Sequence, residues 1–297
     1  MTDKKVLFAE FSLLLVTIIW GLGFPITKIA IQFGYGPNTI VVGRFLTASI
    51  ILGLVYFRKI RAADRRLFLY GAITGVFLFF GFYFQTLGNV YTTASKNGFI
   101  TQLNIVFVPY LYYLFFKRKV DVFNIISVVV ATLGLFLLTY EPGTYNGFNL
   151  GDFYTLICAV MVAFHVVTGS FFQKKYDFDP AAFVFVNIVI SAILAVIFML
   201  FTETMPPVTI IDLWPLAFLG LFNTALGFLV QSYTLKISVP TRVSLIVTLE
   251  SLFAVIGSIL ILGEVLTVQL ALGGILIISA VLLSEVKPFK RRTIRPL

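Results

Sequence analysis

This sequence is poor in the side chains that most soluble chemistry relies on. Among its 297 residues it has one cysteine, Cys158, and one histidine, His165. A lone cysteine closes no internal disulfide and leaves the redox compartment open. One cysteine and one histidine are also too few donors for a metal ligand set. Charge is scarce, at 12% of residues, with 22 basic side chains against 13 acidic. No H-E-x-x-H, G-x-S-x-G or G-x-x-x-x-G-K-[ST] pattern occurs. Peptidase, serine-hydrolase and direct ATP-driven chemistry are therefore unsupported, no cofactor is implied, and any work must come from an ion or substrate gradient. What remains is apolar. The chain is 59% hydrophobic with a mean hydropathy of +1.01, more than a soluble domain needs.

Apolar stretches of about 20 residues, enough to cross a hydrocarbon core as helix, recur along the whole length. Run length and breakers predict ten membrane helices, over 8–32, 38–57, 67–89, 94–116, 122–140, 152–173, 181–201, 213–235, 241–262 and 267–285. The first reads as a retained helix, since many more follow it. The connectors carry Gly34-Tyr35-Gly36-Pro37-Asn38, Glu141-Pro142-Gly143, Asp177-Phe178-Asp179-Pro180, Pro206-Pro207 and Val239-Pro240, all short, which leaves no room for a soluble domain.

A net charge of +9 raises the question of nucleic acid, and the placement of the charge answers it. Eighteen of the 22 basic residues fall at the N-terminus, in alternate loops such as Arg58 to Arg66 and Lys117 to Lys119, and in the tail from Lys287. The intervening loops hold Glu141, Asp152, Glu203, Asp212 and Glu264 instead. By the positive-inside rule both termini are cytoplasmic, so the number of spans is even. Basicity here is topology and no nucleic-acid partner is expected; the partners are the bilayer and a small-molecule substrate.

Sliding the chain by 146 residues aligns Gly81 to Pro142 with Gly227 to Pro288 without a gap. Gly81 meets Gly227, Phe82 meets Phe228, Gln85 meets Gln231, Ile100 meets Ile246, Leu103 meets Leu249 and Phe107 meets Phe253. Lys96 falls on Arg242. The reading is a duplication, with one five-helix repeat over 1–145 and a second over 146–297. Five is odd, so the repeats lie in opposite orientations. The predicted fold class is an all-α polytopic membrane protein of ten transmembrane helices in two inverted repeats, an arrangement in which secondary transporters bind substrate near the midplane.

The residues also resemble a known family. Leu262-Gly263-Glu264-Val265-Leu266-Thr267, then Gln269 and Gly273-Gly274, looks like the end of an EamA-type domain of the drug/metabolite transporter superfamily. Trp20-Gly21-Leu22-Gly23-Phe24-Pro25 with Lys28, and Pro37 followed by Gly43-Arg44-Phe45, are similar to its opening. The resemblance spans nearly the whole chain as two tandem domains and implies a ten-helix transporter of small metabolites, often exporting them. The second half lacks the Trp-Gly and Arg-Phe elements, and Lys117-Arg118-Lys119 stands where the second half has Gly263-Glu264.

Polar side chains within spans are costly and usually face the bundle interior. Asn97, Thr101 and Asn104 share one face of the fourth helix at i, i+4 and i+7. The 146-residue register places Glu250, the one acid well inside a span, opposite Asn104. Glu250 is either a coupling-proton or substrate-amine site or a carboxyl bonded to neighbouring helices. His165 is a proton relay or, more commonly for a lone histidine, a packing residue. Lys96 and Arg242 open the fourth and ninth helices, to draw an anion into a vestibule or to snorkel. Arg44 reads as bracing helix one. Gly21, Gly23 and Pro25 mark either a broken helix at a cavity or a packing kink, and Trp20 and Phe24 beside them could stack on substrate. Gln85 and Gln231 suit gates or interhelical hydrogen bonds, with Tyr83 and Asn223 on the same two helices. The expected protein is a prokaryotic plasma-membrane exporter of small organic metabolites such as amino acids. The runner-up is a proton-coupled exporter of cationic drugs. A membrane-embedded enzyme or receptor requires an acid/base pair or sensing domain that the sequence does not offer. Oligomeric state is not encoded in any of these signals.

Overall fold

A computed structural model describes residues 3–116, 122–139, 148–203, 210–237, 243 and 246–285. The described residues form helices and no strand. The first three are long: α1 Asp3–Gln32, α2 Pro37–Arg61 and α3 Arg65–Tyr91. The fourth expected helix is two, α4 Ala94–Thr101 and α5 Asn104–Phe116, followed by α6 Val122–Thr139. The second half has α7 Leu150–Tyr176 and α8 Pro180–Thr202. A 3₁₀ turn, Ile210–Leu213, then leads into one rod made of α9 Trp214–Phe218, a π-helical segment Leu219–Leu226 and α10 Gly227–Ile237. Helical residues 246–248 precede α11 Glu250–Leu262, and α12 Val268–Glu285 ends the described chain.

Local chemistry sets the ends. Asp64 accepts from the Arg66 amide at the start of α3, Thr93 from the Lys96 amide at α4, and Asp179 from Ala181 and Ala182 at α8. Asn149 and Asp152 form a reciprocal capping box at α7. Pro37 and Pro180 occupy first helical positions, where a missing N–H costs nothing. Gly263 closes α11 at φ 69°, a left-handed conformation that favours glycine.

Six of these rods are long and apolar enough to cross a membrane, and 125–138, 246–262 and 268–283 are shorter apolar helices. Their outward faces carry Leu54, Leu200, Phe201 and Leu260, each at least 72% exposed, a surface suited to lipid rather than water.

The main helix pairings among the described residues correspond under exchange of the halves. Helix α1 lies on α11 and on the α9–α10 rod, while α7 lies on α4–α5 and on α3. The pairing of α3 with α8 is matched by that of the π segment with α2. The pairs α2 with α8, α6 with α12 and α4 with α11 map onto themselves.

One expectation about helix continuity, that for helix four, is corrected. Of the two readings of helix one the structure has the continuous one, since α1 runs through Pro25. Its glycines serve close approach: a Cβ on Gly21 would stand 2.5 Å from Phe253 Cβ and 2.8 Å from the Glu250 carbonyl, and one on Gly23 would meet the Asn223 amide. Helix four, expected unbroken, turns at Gln102 and Leu103. Leu103 N–H donates to Ile100 O at 3.1 Å, an i−3 bond, and Leu249 N–H donates to Ile246 O at 3.1 Å in the same way. Both kinks fall on positions paired by the 146-residue register. Each exposes a carbonyl that a side chain covers: Asn104 Nδ2 donates to Thr101 O at 2.7 Å, and Ser251 Oγ to Thr248 O at 3.0 Å.

Candidate functional site

The two kinks face each other, and their polar groups meet. Gln102, fully buried at the first kink, donates from Nε2 to Glu250 Oε2 at 3.2 Å, and Glu250 opens α11 at the second. The fourth-helix partner of Glu250 is therefore Gln102 rather than Asn104. The turn explains this, since it ends the i, i+4, i+7 face before Asn104. Asn97 still donates to Gln85 O at 2.9 Å, and Thr101 donates to Asn97 Oδ1 at 3.4 Å, so those two remain one buried polar patch between α4 and α3. Cys158 on α7 reaches Thr101 and lies within electrostatic range of Glu250.

A second polar group joins α1, α2 and the π segment. Trp20 Nε1 donates to Asn223 O at 2.7 Å, and Asn223 Nδ2 returns a bond to Ile19 O at 2.6 Å. Arg44, wholly buried, donates from Nε to Thr224 Oγ1 at 3.0 Å, and its Nη2 stands 3.5 Å from Asn223 Oδ1. Its guanidinium lies 4.0 Å over the Phe82 ring. Arg44 thus braces α2 to the π segment, and reaches helix one only through Asn223. The π geometry makes this possible: Thr224 Oγ1 donates back to Leu219 O, five residues earlier, and one turn presents Asn223 and Thr224 together. The two groups meet along α1, where Gly21 stands against the Glu250 carbonyl and Gly23 against the Asn223 amide, and so form one seam. Phe228 connects the walls, 5.8 Å from Trp20, 5.9 Å from Phe82 and 5.8 Å from the His165 ring.

The other expected residues are dispersed. His165 packs edge-on to Phe228 with Asn187 as its polar neighbour. Phe24 is buried with Ala94 and Ala254, and its carbonyl accepts from Asn89 Nδ2. Tyr83 stacks on Phe79 and packs edge-on to Phe198. Gln85 contributes its backbone carbonyl, Gln231 is half-buried on α10, and Lys96 sits in the first turn of α4. Arg242 lies outside the described residues.

Each end of the bundle has its own joint. Where α1, α3 and α8 finish, Glu203 at the end of α8 accepts the amides of Asn38 and Thr39 at 2.7 and 2.9 Å, besides the Thr39 hydroxyl. Glu264 accepts the amides of Ala94 and Ser95 at 2.8 and 3.1 Å. Asp152 accepts the Thr92 hydroxyl at 2.7 Å, and Lys28 donates to the Asn89 and Thr92 carbonyls. At the opposite end Lys59 on α2 reaches Asp179 Oδ2 at 3.0 Å and the Tyr233 hydroxyl at 3.2 Å. Burial alone would raise the Asp179 carboxyl. Lys59 and the Ala182 and Ala181 amides outweigh it and hold the group below its ordinary value. Position in the sequence marks these acids only as loop charges and does not single out Gln102, for which a polar residue beside Thr101 in an apolar helix is the available signal.

The EamA-like transporter family matches the chain twice, over residues 7–140 and again over 149–285. An "uncharacterized transporter" of Archaeoglobus fulgidus is 29% identical over 283 residues, covering 95% of this chain and 87% of the relative. The "uncharacterized transporter YdfC" of Bacillus subtilis is 24% identical, covering 98% and 95%. A crystal structure with a TM-score of 0.65 and 14% identity covers 95% of this chain and 96% of its own, a likeness of fold.

Proposed function

The chain belongs to the EamA-like transporter family, and on that premise we propose that it is a secondary transporter exporting small organic metabolites, amino acids among them, by alternating access. The observation that carries this reading is the Gln102–Glu250 contact between two kinks related by the 146-residue register. A polar link where two interrupted helices meet is the form a substrate site takes between repeats. The exchange-symmetric packing supports two inverted five-helix repeats, over 1–145 and 146–297, crossing the bilayer ten times. Basic loops put both termini in the cytoplasm of a prokaryotic cell, so the end held by Glu203 and Glu264 faces outward. The substrate path runs along Trp20, Asn97, Thr101, Asn223 and Glu250, with Phe24, Tyr83, Asn104 and His165 behind it. Gln85, Lys96, Gln231 and Arg242 serve the approaches.

The test is efflux from sealed vesicles against a metabolite panel, with and without a pH gradient. Gln102→Leu removes the donor to Glu250 and is expected to slow efflux at least tenfold with expression intact; wild-type rates would take the seam out of the path. A second reading, proton-coupled export of cations, is favoured by Glu250 being an acid inside the seam. On that reading Glu250→Gln abolishes cation efflux and the pH gradient drives it; retained transport of zwitterions by the variant removes it.

A further inference from the structure

Helix α2 ends in a cluster that membrane orientation alone leaves unexplained. Arg58 and Arg61 occupy its last turn, and Arg65 and Arg66 open α3. Orientation in a bilayer counts positive charge, and lysine serves it as well as arginine. The start of α1 and the end of α7 accordingly carry Lys4, Lys5, Lys174 and Lys175. A helix C-terminus likewise favours any cation. Neither reason selects the guanidinium, the group that pairs a phosphate through two parallel N–H bonds.

The basic residues of that last turn are put to different uses. The helix departs from regular geometry at Tyr56, φ −110° and ψ 17°, just before the turn. Lys59 reaches Asp179 Oδ2 at 3.0 Å and lies over the Tyr56 and Tyr233 rings at 5.7 and 5.8 Å. Arg58 and Arg61 instead line, with Phe57 and Ala62, an open cavity of about 510 Å³. Among the described residues no carboxylate stands within 4.0 Å of either arginine. The acids of the adjoining loops are engaged elsewhere, Asp179 by Lys59 and Asp64 by the Arg66 amide at 2.9 Å.

The helix beneath this cavity is apolar and open to the bilayer. Ile50, Leu54, Phe57, Arg58 and Arg61 recur at i, i+4, i+7, i+8 and i+11, which places them on one side of α2. Ile50, Leu54 and Phe57 are 61%, 78% and 60% exposed. From Ile50 to Arg61 the helical rise is about 16 Å. That is close to one leaflet of a hydrocarbon core roughly 30 Å thick. An apolar stripe one leaflet long, ending in two guanidiniums, has the dimensions and polarity of a single phospholipid. With no acid beside the arginines to receive an ammonium, the headgroup that fits carries net negative charge.

We propose that this stripe is a binding site for one anionic phospholipid. The phosphodiester sits between Arg58 and Arg61, and the acyl chains lie on Ile50, Leu54 and Phe57. Arg65 and Arg66 add to the field that draws the headgroup in. The site lies apart from the seam and requires only that the chain spans a bilayer.

The test uses the purified, delipidated full-length protein with three probes: dioleoyl phosphatidylglycerol, dioleoyl phosphatidylcholine and inorganic phosphate. Bound lipid is counted by native mass spectrometry, and binding is followed by thermal shift. Phosphatidylglycerol is expected to bind roughly tenfold more tightly than phosphatidylcholine with the same chains. Arg58→Gln with Arg61→Gln should abolish that preference. Arg58→Lys with Arg61→Lys, which keeps the charge and loses the fork, should lose most of it. Lys4→Gln with Lys5→Gln removes equal charge elsewhere and should retain it. All four side chains are exposed, so the lipid-free Tm of each variant should match wild type. Equal affinity for the two lipids overturns the proposal, as does a preference undiminished in the lysine double variant. A preference lost equally in the Lys4 and Lys5 variant points to diffuse surface charge and also overturns it. Phosphate at millimolar concentration that reproduces the full thermal shift of phosphatidylglycerol makes this a free-anion site and overturns the lipid assignment. Efflux rates enter none of these readouts, so the transport reading stands or falls separately.

Discussion

Glu203 offers the sharpest test of how the two halves are held together. Its carboxylate sits at the N-terminus of α2, where the local N-cap, Gly36, has no side chain to accept the first amides. Glu203 supplies the cap from a helix about 165 positions away, taking the Asn38 amide on Oε1 and the Thr39 amide and hydroxyl on Oε2. Losing a capping side chain costs about 1 kcal/mol and up to ~2. A carboxylate in the field of a helix N-terminus adds a few tenths to ~1 kcal/mol. Glu203→Ala should therefore destabilise by about 2 kcal/mol, and Glu203→Gln, which keeps one acceptor oxygen, by roughly half of that. At ~2 °C or more per kcal/mol for a chain of this size, the alanine variant should lower the apparent Tm in detergent by about 4 °C. Gly36 provides an independent route to the same joint. Its φ of −70° suits alanine, but a Cβ there would strike the Glu203 carboxylate. Gly36→Ala should thus cost stability only while Glu203 is present, and the double variant should be no worse than Glu203→Ala alone. Additive losses, or a Glu203→Ala Tm equal to wild type, would refute the carboxylate cap as the source of the joint's strength.

Other consequences follow from the same geometry. The Asp179 carboxyl is held low, so its bond to Lys59 contributes above the ordinary aspartate pKa of about 3.9 and is lost as pH falls below it. Both partners are substantially exposed, at 48% and 37%, so Asp179→Asn should cost under ~1 kcal/mol at pH 7, and its melting temperature should converge with wild type once the pH falls below the depressed pKa of the folded carboxyl. Gly21→Ala places a methyl against the backbone of α11, which cannot rotate away, and should destabilise by roughly 1–3 kcal/mol on thermal unfolding. Asn104→Leu uncovers the Thr101 carbonyl at the first kink and should cost roughly 1–2 kcal/mol by the same measurement, with Asn104→Asp, which sets a buried acceptor against that carbonyl in place of the donor, no milder than Leu.

The rods were legible because apolar run length and caps are local properties: Asp64, Thr93 and Asp179 end their loops in the expected way, and the helix edges moved by only a few residues. The break at Gln102–Leu103 was not legible. Neither residue disfavours helix, and the turn is held by the Asn104 amide and by packing against α11, both of which depend on the folded pair. The same holds for the seam. Arg44 and Thr224 are 180 positions apart, Gln102 and Glu250 148, and the π segment that presents Asn223 and Thr224 has no signature in an apolar run. Spacing on an ideal helix pointed to Asn104, and a one-turn departure from ideality moved the contact to Gln102.

What the two halves share, and what they do not, also has a physical reason. The paired identities Ile100/Ile246, Leu103/Leu249 and Phe107/Phe253 bracket the kinks, and each supplies or accepts a backbone bond there. Such positions fix helix packing, where a change in one half must be matched by its counterpart. The polar joints carry no such constraint. The carboxylates Glu203 and Glu264 cap α2 and α4 at one end of the bundle. The opposite end is tied instead by Lys59, Asp179 and Tyr233. Two capped helix starts with their amides inside the joint resist separation differently from one exposed ion pair, which salt screens. A symmetric scaffold thereby carries two unlike closures, and raising ionic strength should loosen the Lys59 end while leaving the Glu203 end unchanged.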